Sequence, residues 1–175
     1  MTITISKQYC LNPAGFHRIS CTSWGAVHNA RPLVCAHGFS RNGRDFDSLA
    51  AQLCDNWHVH CPDAVGRGQS DWLVRREHYN YDQYLRDNAT LLGRITAPLA
   101  DGADKPAASV DWVGTSMGGI VGMMLAAQHH VTVRVRRQCL QNGCPATHVT
   151  PPDVYWNYAH VLSTFYDGVI DAPFR

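Results

Sequence analysis

In the run VDWVGTSMGG, residues 110–119, Ser116 stands between Gly114 and Gly118 at G-x-S-x-G spacing, and nothing else in the chain restricts its fold as strongly. An apolar run precedes the motif, and an apolar, Met- and Ala-rich run at residues 120–127 follows it. The motif therefore sits where a buried strand would turn sharply into a buried helix. Glycines on both flanks let the strand and helix backbones approach closely, while Ser116 must take a strained backbone to lift its hydroxyl above the sheet. This is the pattern of a nucleophile elbow.

A sheet carrying such a turn needs cover, and 175 residues suffice for one well-buried domain and not comfortably for two. Apolar residues make up 45% and charged residues 17%, with a formal charge of +1, so no field suited to nucleic acid or anionic membrane is present. No basic start is followed by an apolar stretch, and no apolar run approaches membrane-spanning length. The expectation is a cytoplasmic chain without nucleic-acid or membrane partners.

Strand and helix patterns alternate ahead of the elbow. Residues 16–24 alternate as a strand, 33–36 form a short apolar run, and 57–61 read as a further strand. Between the last two, Phe46, Leu49, Ala50 and Leu53 recur at helical spacing. Tyr84, Leu85, Leu91, Leu92 and Ile95 repeat that spacing, with Asn80 as cap and Gln83 three residues on, resembling a capping box. This order predicts an α/β fold: a mostly parallel sheet with flanking helices on both faces.

Three segments carry the chemistry. In residues 33–46 a strand ends at His37-Gly38, where glycine lets the backbone turn and leave an amide pointing outward, able to bind a developing oxyanion. The plainer reading is an ordinary strand-ending turn, and the downstream Ser116 favours the functional one. A second donor is the amide of Met117, at the start of the helix after Ser116, where unpaired N–H groups and the helix dipole favour negative charge. Residues 61–72, with Asp63, Gly66, Gly68 and Ser70, follow a strand but match no complete phosphate-binding fingerprint, so they read as a structural loop. Arg41 and Arg44 are candidates to attract a substrate carboxylate, although Arg44 also suits a solvated helix start and Arg41 a turn.

Seven cysteines without a C-x-x-C pair read as reduced, mostly buried thiols. His58 and His60 alternate onto one strand face and lack a matching second ligand pair, so no metal site is expected and no cofactor is required.

HGFSRNGRDF, PDAVGRGQSDW and GTSMGG, in that order, resemble the α/β-hydrolase superfamily, in particular its esterase and carbon-carbon-bond-hydrolase-like members. The resemblance implies Ser116 as nucleophile, the backbone amides of Phe39 and Met117 as oxyanion donors, a small-molecule acyl substrate with an ester-like or activated carbonyl, and an acid and a histidine later in the chain. Epoxide hydrolases and haloalkane dehalogenases of the superfamily carry Asp at the elbow, so Ser116 argues against both.

The resemblance decays after Gln128. Residues 133–153 lack the strand ending in an acidic turn that the superfamily leads one to expect, and no residue matches the catalytic acid or histidine. His129, His130, His148, His160, Asp153, Asp167 and Asp171 qualify by type and chain order alone. Residues 1–137 are therefore expected to form a partial hydrolase core and residues 138–175 an atypical tail, such as a truncation or frameshift would leave. On this reading the chain is weakly active or inactive as it stands, or serves as a binding module that keeps the pocket without the base. The uncovered sheet edge is expected to favour self-association.

Overall fold

The computed structural model describes residues 2–27, 31–96, 110–128 and 133–139, the last stretch as backbone. The chain opens with a hairpin, β1 (Ile3–Asn12) and β2 (Gly15–Trp24), paired in antiparallel register from Ile3 opposite Trp24 to Asn12 opposite Gly15. It continues through β3 (Pro32–Ala36), a 3-10 turn (Gly43–Phe46), α1 (Asp47–Leu53) and β4 (His58–Pro62). Then follow α2 (Tyr81–Thr96), β5 (Val110–Thr115), α3 (Met117–Ala126) and β6 (Val133–Cys139).

Six strands form one sheet in the order β1-β2-β4-β3-β5-β6. β2 is antiparallel to both its neighbours, β1 and β4, whereas β4, β3, β5 and β6 run parallel. This is the expected α/β class with its mostly parallel sheet. Successive side chains of a strand leave by opposite faces. Leu33 and Cys35 accordingly pack with Phe46 and Ala50 of the α1 side. Val34 and Ala36 pack with Leu85, Leu92, Val121 and Leu125 of α2 and α3. Both faces are covered, which parallel strands require.

The strand order places the site. From β3 the chain crosses to β4 on one side and later returns to β5 on the other, so the C-terminal ends of β3 and β5 lie side by side at the point where the order reverses. Ala36 pairs with Gly114. The turn after β3 and the turn after β5 therefore open into the same crevice.

Three sequence expectations need correction. The N-terminal segment forms a ten-residue strand that its sequence does not announce. Its buried face carries Gln8, Cys10 and Asn12 and its exposed face Ile3, Ile5, Tyr9 and Leu11, an inverted polarity that hides the usual alternation. The segment from Val133, read in the sequence as lacking an expected strand, forms a strand parallel to β5 over Val133–Cys139. The Asn80 side chain caps α2 by accepting from the Gln83 amide at 3.0 Å, but the Gln83 side chain turns away to the Leu11 carbonyl and Asp87, so the capping box is half formed. Beyond β6, the proposed tail lies outside the described residues, as do His129, His130, His148, His160, Asp153, Asp167 and Asp171.

Candidate active site

Ser116 occupies φ 50°, ψ −116° between β5 and α3, and it is the sole non-glycine residue at positive φ among the described residues. Such a conformation costs of order 1–3 kcal/mol and persists where the surroundings over-determine it. Three glycines do so. A Cβ on Gly114 would lie 2.5 Å from the Gly118 carbonyl carbon and collide with the Gly119 amide. A Cβ on Gly118 would run into the Ala36 carbonyl of β3, and one on Gly122 into the Trp112 indole. Trp112 is fully buried and donates its Nε1–H to the Gly118 carbonyl at 2.9 Å, locking strand to helix. Met117 is the first residue of α3, where an amide has no partner within the helix.

Across the crevice, a Cβ built on Gly38 would stand 3.7 Å from the Ser116 Cβ, so the turn after β3 lies against the elbow. His37 anchors this turn from a buried position. Its Nε2 accepts the Ala64 amide at 2.9 Å, which leaves Nδ1 as the donor to the Gly38 carbonyl at 2.7 Å. Burial pushes the His37 pKa down, in keeping with this neutral tautomer. Phe39 follows, 65% exposed.

The glycine-containing loop after β4 organises the crevice through its own hydrogen bonds. Buried Asp63 accepts the amides of Gly43 and Gln69, both at 2.8 Å, tying the loop to the start of the 3-10 turn. Ser70 donates its hydroxyl to the Asp63 carbonyl at 2.7 Å and accepts the Ser20 amide. Arg67 reaches back to the Phe39 carbonyl at 3.0 Å. Sequence reasoning names Asp63 only as a loop member and misses Arg67. Their partners stand 20 and 28 residues away, so no local pattern announces them.

The proposed substrate arginines are otherwise engaged. Arg41 lays its fork on Asp45, with bonds of 2.7 and 2.8 Å, and Arg44 pairs with Asp47. His60 is buried, bonded through Nδ1 to Ser23 at 2.9 Å, and desolvation pushes its pKa down to about 3. Cys10, Cys21, Cys35, Cys54 and Cys61 are buried thiols that form no disulfide with one another.

One group of metal-ligand type gathers among the described residues: Cys10, His17 and Asp87, with ligand atoms within 4.8 Å of one another. Its hydrogen bonds oppose a metal. The Ala14 amide occupies the Asn12 carbonyl oxygen, so the Asn12 amide group donates to His17 Nδ1 at 3.1 Å. The ring proton is thereby placed on Nε2, where it is given to Asp87 at 3.0 Å instead of leaving a lone pair for a cation. A small cavity is lined by His37, Asp63, Tyr84, Asp87, Met117 and Val121 among others, and Ser116 is not part of its lining.

Known proteins resemble this chain over part of their length. A 3-hydroxybutyrate-oligomer hydrolase of Cupriavidus necator is 46% identical over 125 residues, 71% of this chain and 39% of that protein. A pimeloyl-[acyl-carrier protein] methyl ester esterase of Vibrio cholerae is 29% identical over 106 residues, 61% of this chain and 35% of that protein. The chain thus spans about two fifths or less of the length of these relatives. The crystal structure of an alpha/beta hydrolase from Novosphingobium aromaticivorans superposes with a TM-score of 0.58 at 31% identity, covering 74% of this chain and 42% of that one. The sequence profile of the Alpha/beta hydrolase family matches residues 33–175, extending well beyond the described elbow. Strand order, elbow and profile agree, and the chain belongs to the alpha/beta hydrolase family.

Proposed function

We propose that this chain carries the nucleophile and oxyanion portion of a serine ester hydrolase. The observation that carries the reading is the backbone of Ser116, held at positive φ against the steric preference of every non-glycine residue. In the proposed reaction the Ser116 hydroxyl loses its proton to a base and its oxygen attacks the ester carbonyl. The tetrahedral oxyanion is received by the amides of Phe39 and Met117. Expulsion of the alcohol leaves an acyl-enzyme, which water resolves to the acid and free serine. The substrate class we propose is a short hydroxyacid oligoester, on the strength of the Cupriavidus necator relative.

A second reading is an inactive or weakly active form that retains the pocket without the relay. The observation favouring it is that no histidine or carboxylate among the described residues hydrogen-bonds to Ser116. A hydroxyl without its base is a poor nucleophile, and in the serine protease subtilisin loss of the base costs on the order of 10⁶ in kcat. Intact-mass analysis after treatment with an alkyl fluorophosphonate separates the two. A single adduct, lost in Ser116→Ala, supports the hydrolase. No adduct on protein that unfolds cooperatively overturns it and leaves the inactive form.

A further inference from the structure

We propose that Arg67 is a positioning residue that, by fixing the peptide plane after Phe39, holds in place the turn from which the Phe39 amide faces the crevice beside Ser116, an inference that rests on the serine-hydrolase reading. The direction of an N–H is set by the peptide plane that contains it, and in a planar trans peptide it points opposite to the carbonyl. The plane preceding Phe39 is held at the Gly38 carbonyl, which accepts from the Arg41 amide at 3.1 Å and from His37 Nδ1 at 2.7 Å. The plane following Phe39 is held at the Phe39 carbonyl by Arg67 Nε at 3.0 Å. With both planes held, φ and ψ of Phe39 are fixed between them.

The Phe39 side chain cannot supply this restraint by burial, being 65% exposed. It stacks on the Arg67 guanidinium, 4.7 Å from the ring centre. Arg67 is itself fastened: Nη1 donates to the Val65 carbonyl at 2.8 Å and to the Tyr84 hydroxyl at 3.0 Å, and Tyr84 is a buried residue of α2. The guanidinium thus transmits the rigidity of a helix to an exposed loop. Arg18, Arg41, Arg44 and Arg75 each pair with a carboxylate, whereas among the described residues none lies within 4.0 Å of Arg67. The planar fork is what the site uses: one edge for a carbonyl, another for a carbonyl and a phenol, and its face for a ring. An ammonium cannot reproduce that set.

The test compares wild type with Arg67→Met, Arg67→Lys and Tyr84→Phe by two readouts. The first is amide hydrogen exchange at residues 39–41. The second is the rate constant for labelling of Ser116 by an uncharged alkyl fluorophosphonate, chosen so that loss of a cation near a charged probe cannot imitate the effect. In Arg67→Met we expect loop exchange to rise and labelling to slow about 10- to 100-fold, the scale for a misplaced catalytic group, with probe affinity and exchange in α3 unchanged. Arg67→Lys fails to rescue, and Tyr84→Phe, which removes one anchor and keeps the ring, falls between. Unchanged loop exchange overturns the clamp whether or not the serine is reactive. Faster exchange with an unchanged labelling rate overturns its role in positioning. A wild-type chain that does not label at all refutes the serine reading instead, and loop exchange still decides the clamp.

Discussion

The two turns that meet at Ser116 are held by opposite physical means. The elbow after β5 is held by exclusion: Gly114, Gly118 and Gly122 sit where the neighbouring strand, helix and Trp112 leave no volume for a Cβ. The turn after β3 and the glycine loop after β4 are held by polar bonds, with His37 on Ala64, Asp63 on Gly43 and Gln69, and Arg67 on Phe39. The difference follows from what each must hold. A strained serine relaxes unless every alternative is sterically blocked, and close packing does that independently of pH. An exposed loop has no core to press against and is fixed through its own backbone polar groups. Steric restraint should therefore fail abruptly, and polar restraint by degrees and with protonation.

The largest effect is expected at Gly118→Ala. Its Cβ meets the backbone carbonyl of Ala36, which cannot swing aside as a side chain would, so we expect a loss of about 3 kcal/mol or more in urea unfolding. A variant as stable as wild type would show that the elbow is not held by exclusion. Next comes Asp63→Ala, which leaves the Gly43 and Gln69 amides without their charged acceptor; a loss of about 2–3 kcal/mol is expected, partly recovered by Asp63→Asn. Equal losses for the Ala and Asn variants would break the polar side of the comparison.

Ser116→Gly has the opposite sign. Glycine occupies positive φ without the side-chain penalty, so relief of strain should outweigh its added chain entropy and raise stability by about 1 kcal/mol while abolishing labelling. A destabilised Ser116→Gly protein would mean the serine backbone stores no strain.

Acid supplies the smallest and most selective probe. The His37 pKa lies below its ordinary 6.5, so the stability it contributes is complete above that pH and is lost as pH falls towards the folded-state value, where Nε2 takes a proton and releases the Ala64 amide. His58 and His60 shift in the same direction and Asp87 in the other. Wild type is therefore compared with His37→Gln, which shares those groups. Between pH 7.5 and 5 the urea midpoint should fall further in wild type than in the variant. Parallel falls would remove His37 from the account.

Much of this scaffold is legible in the sequence. β2, β3, β4, β5, α2 and α3 begin and end within a few residues of the bounds their sequence implies, because each is built around buried apolar residues. β1 is not legible because its inward residues are Gln8, Cys10 and Asn12, which pack into a polar network with His17 and Asp87. The VRVRRQC segment reads as a departure since alternating charge obscures a strand whose partner, β5, is already paired on its other side with β3. Arg41, a candidate from its proximity in sequence, spends its fork on Asp45 four residues on.

Sequence alone determined the elbow as a motif, because its spacing is local: one serine with glycines two residues to either side, Gly114 being needed where the strand and the helix that follows it approach each other, although Gly118 is needed against the more distant Ala36 of β3. Tertiary structure alone decided what faces it. Which loop shelters Ser116, which carboxylate gathers the amides and which arginine reaches Phe39 depend on the order in which β4, β3 and β5 pair. That order is set by burying both faces of the sheet at once, a condition of the whole chain that no short window contains.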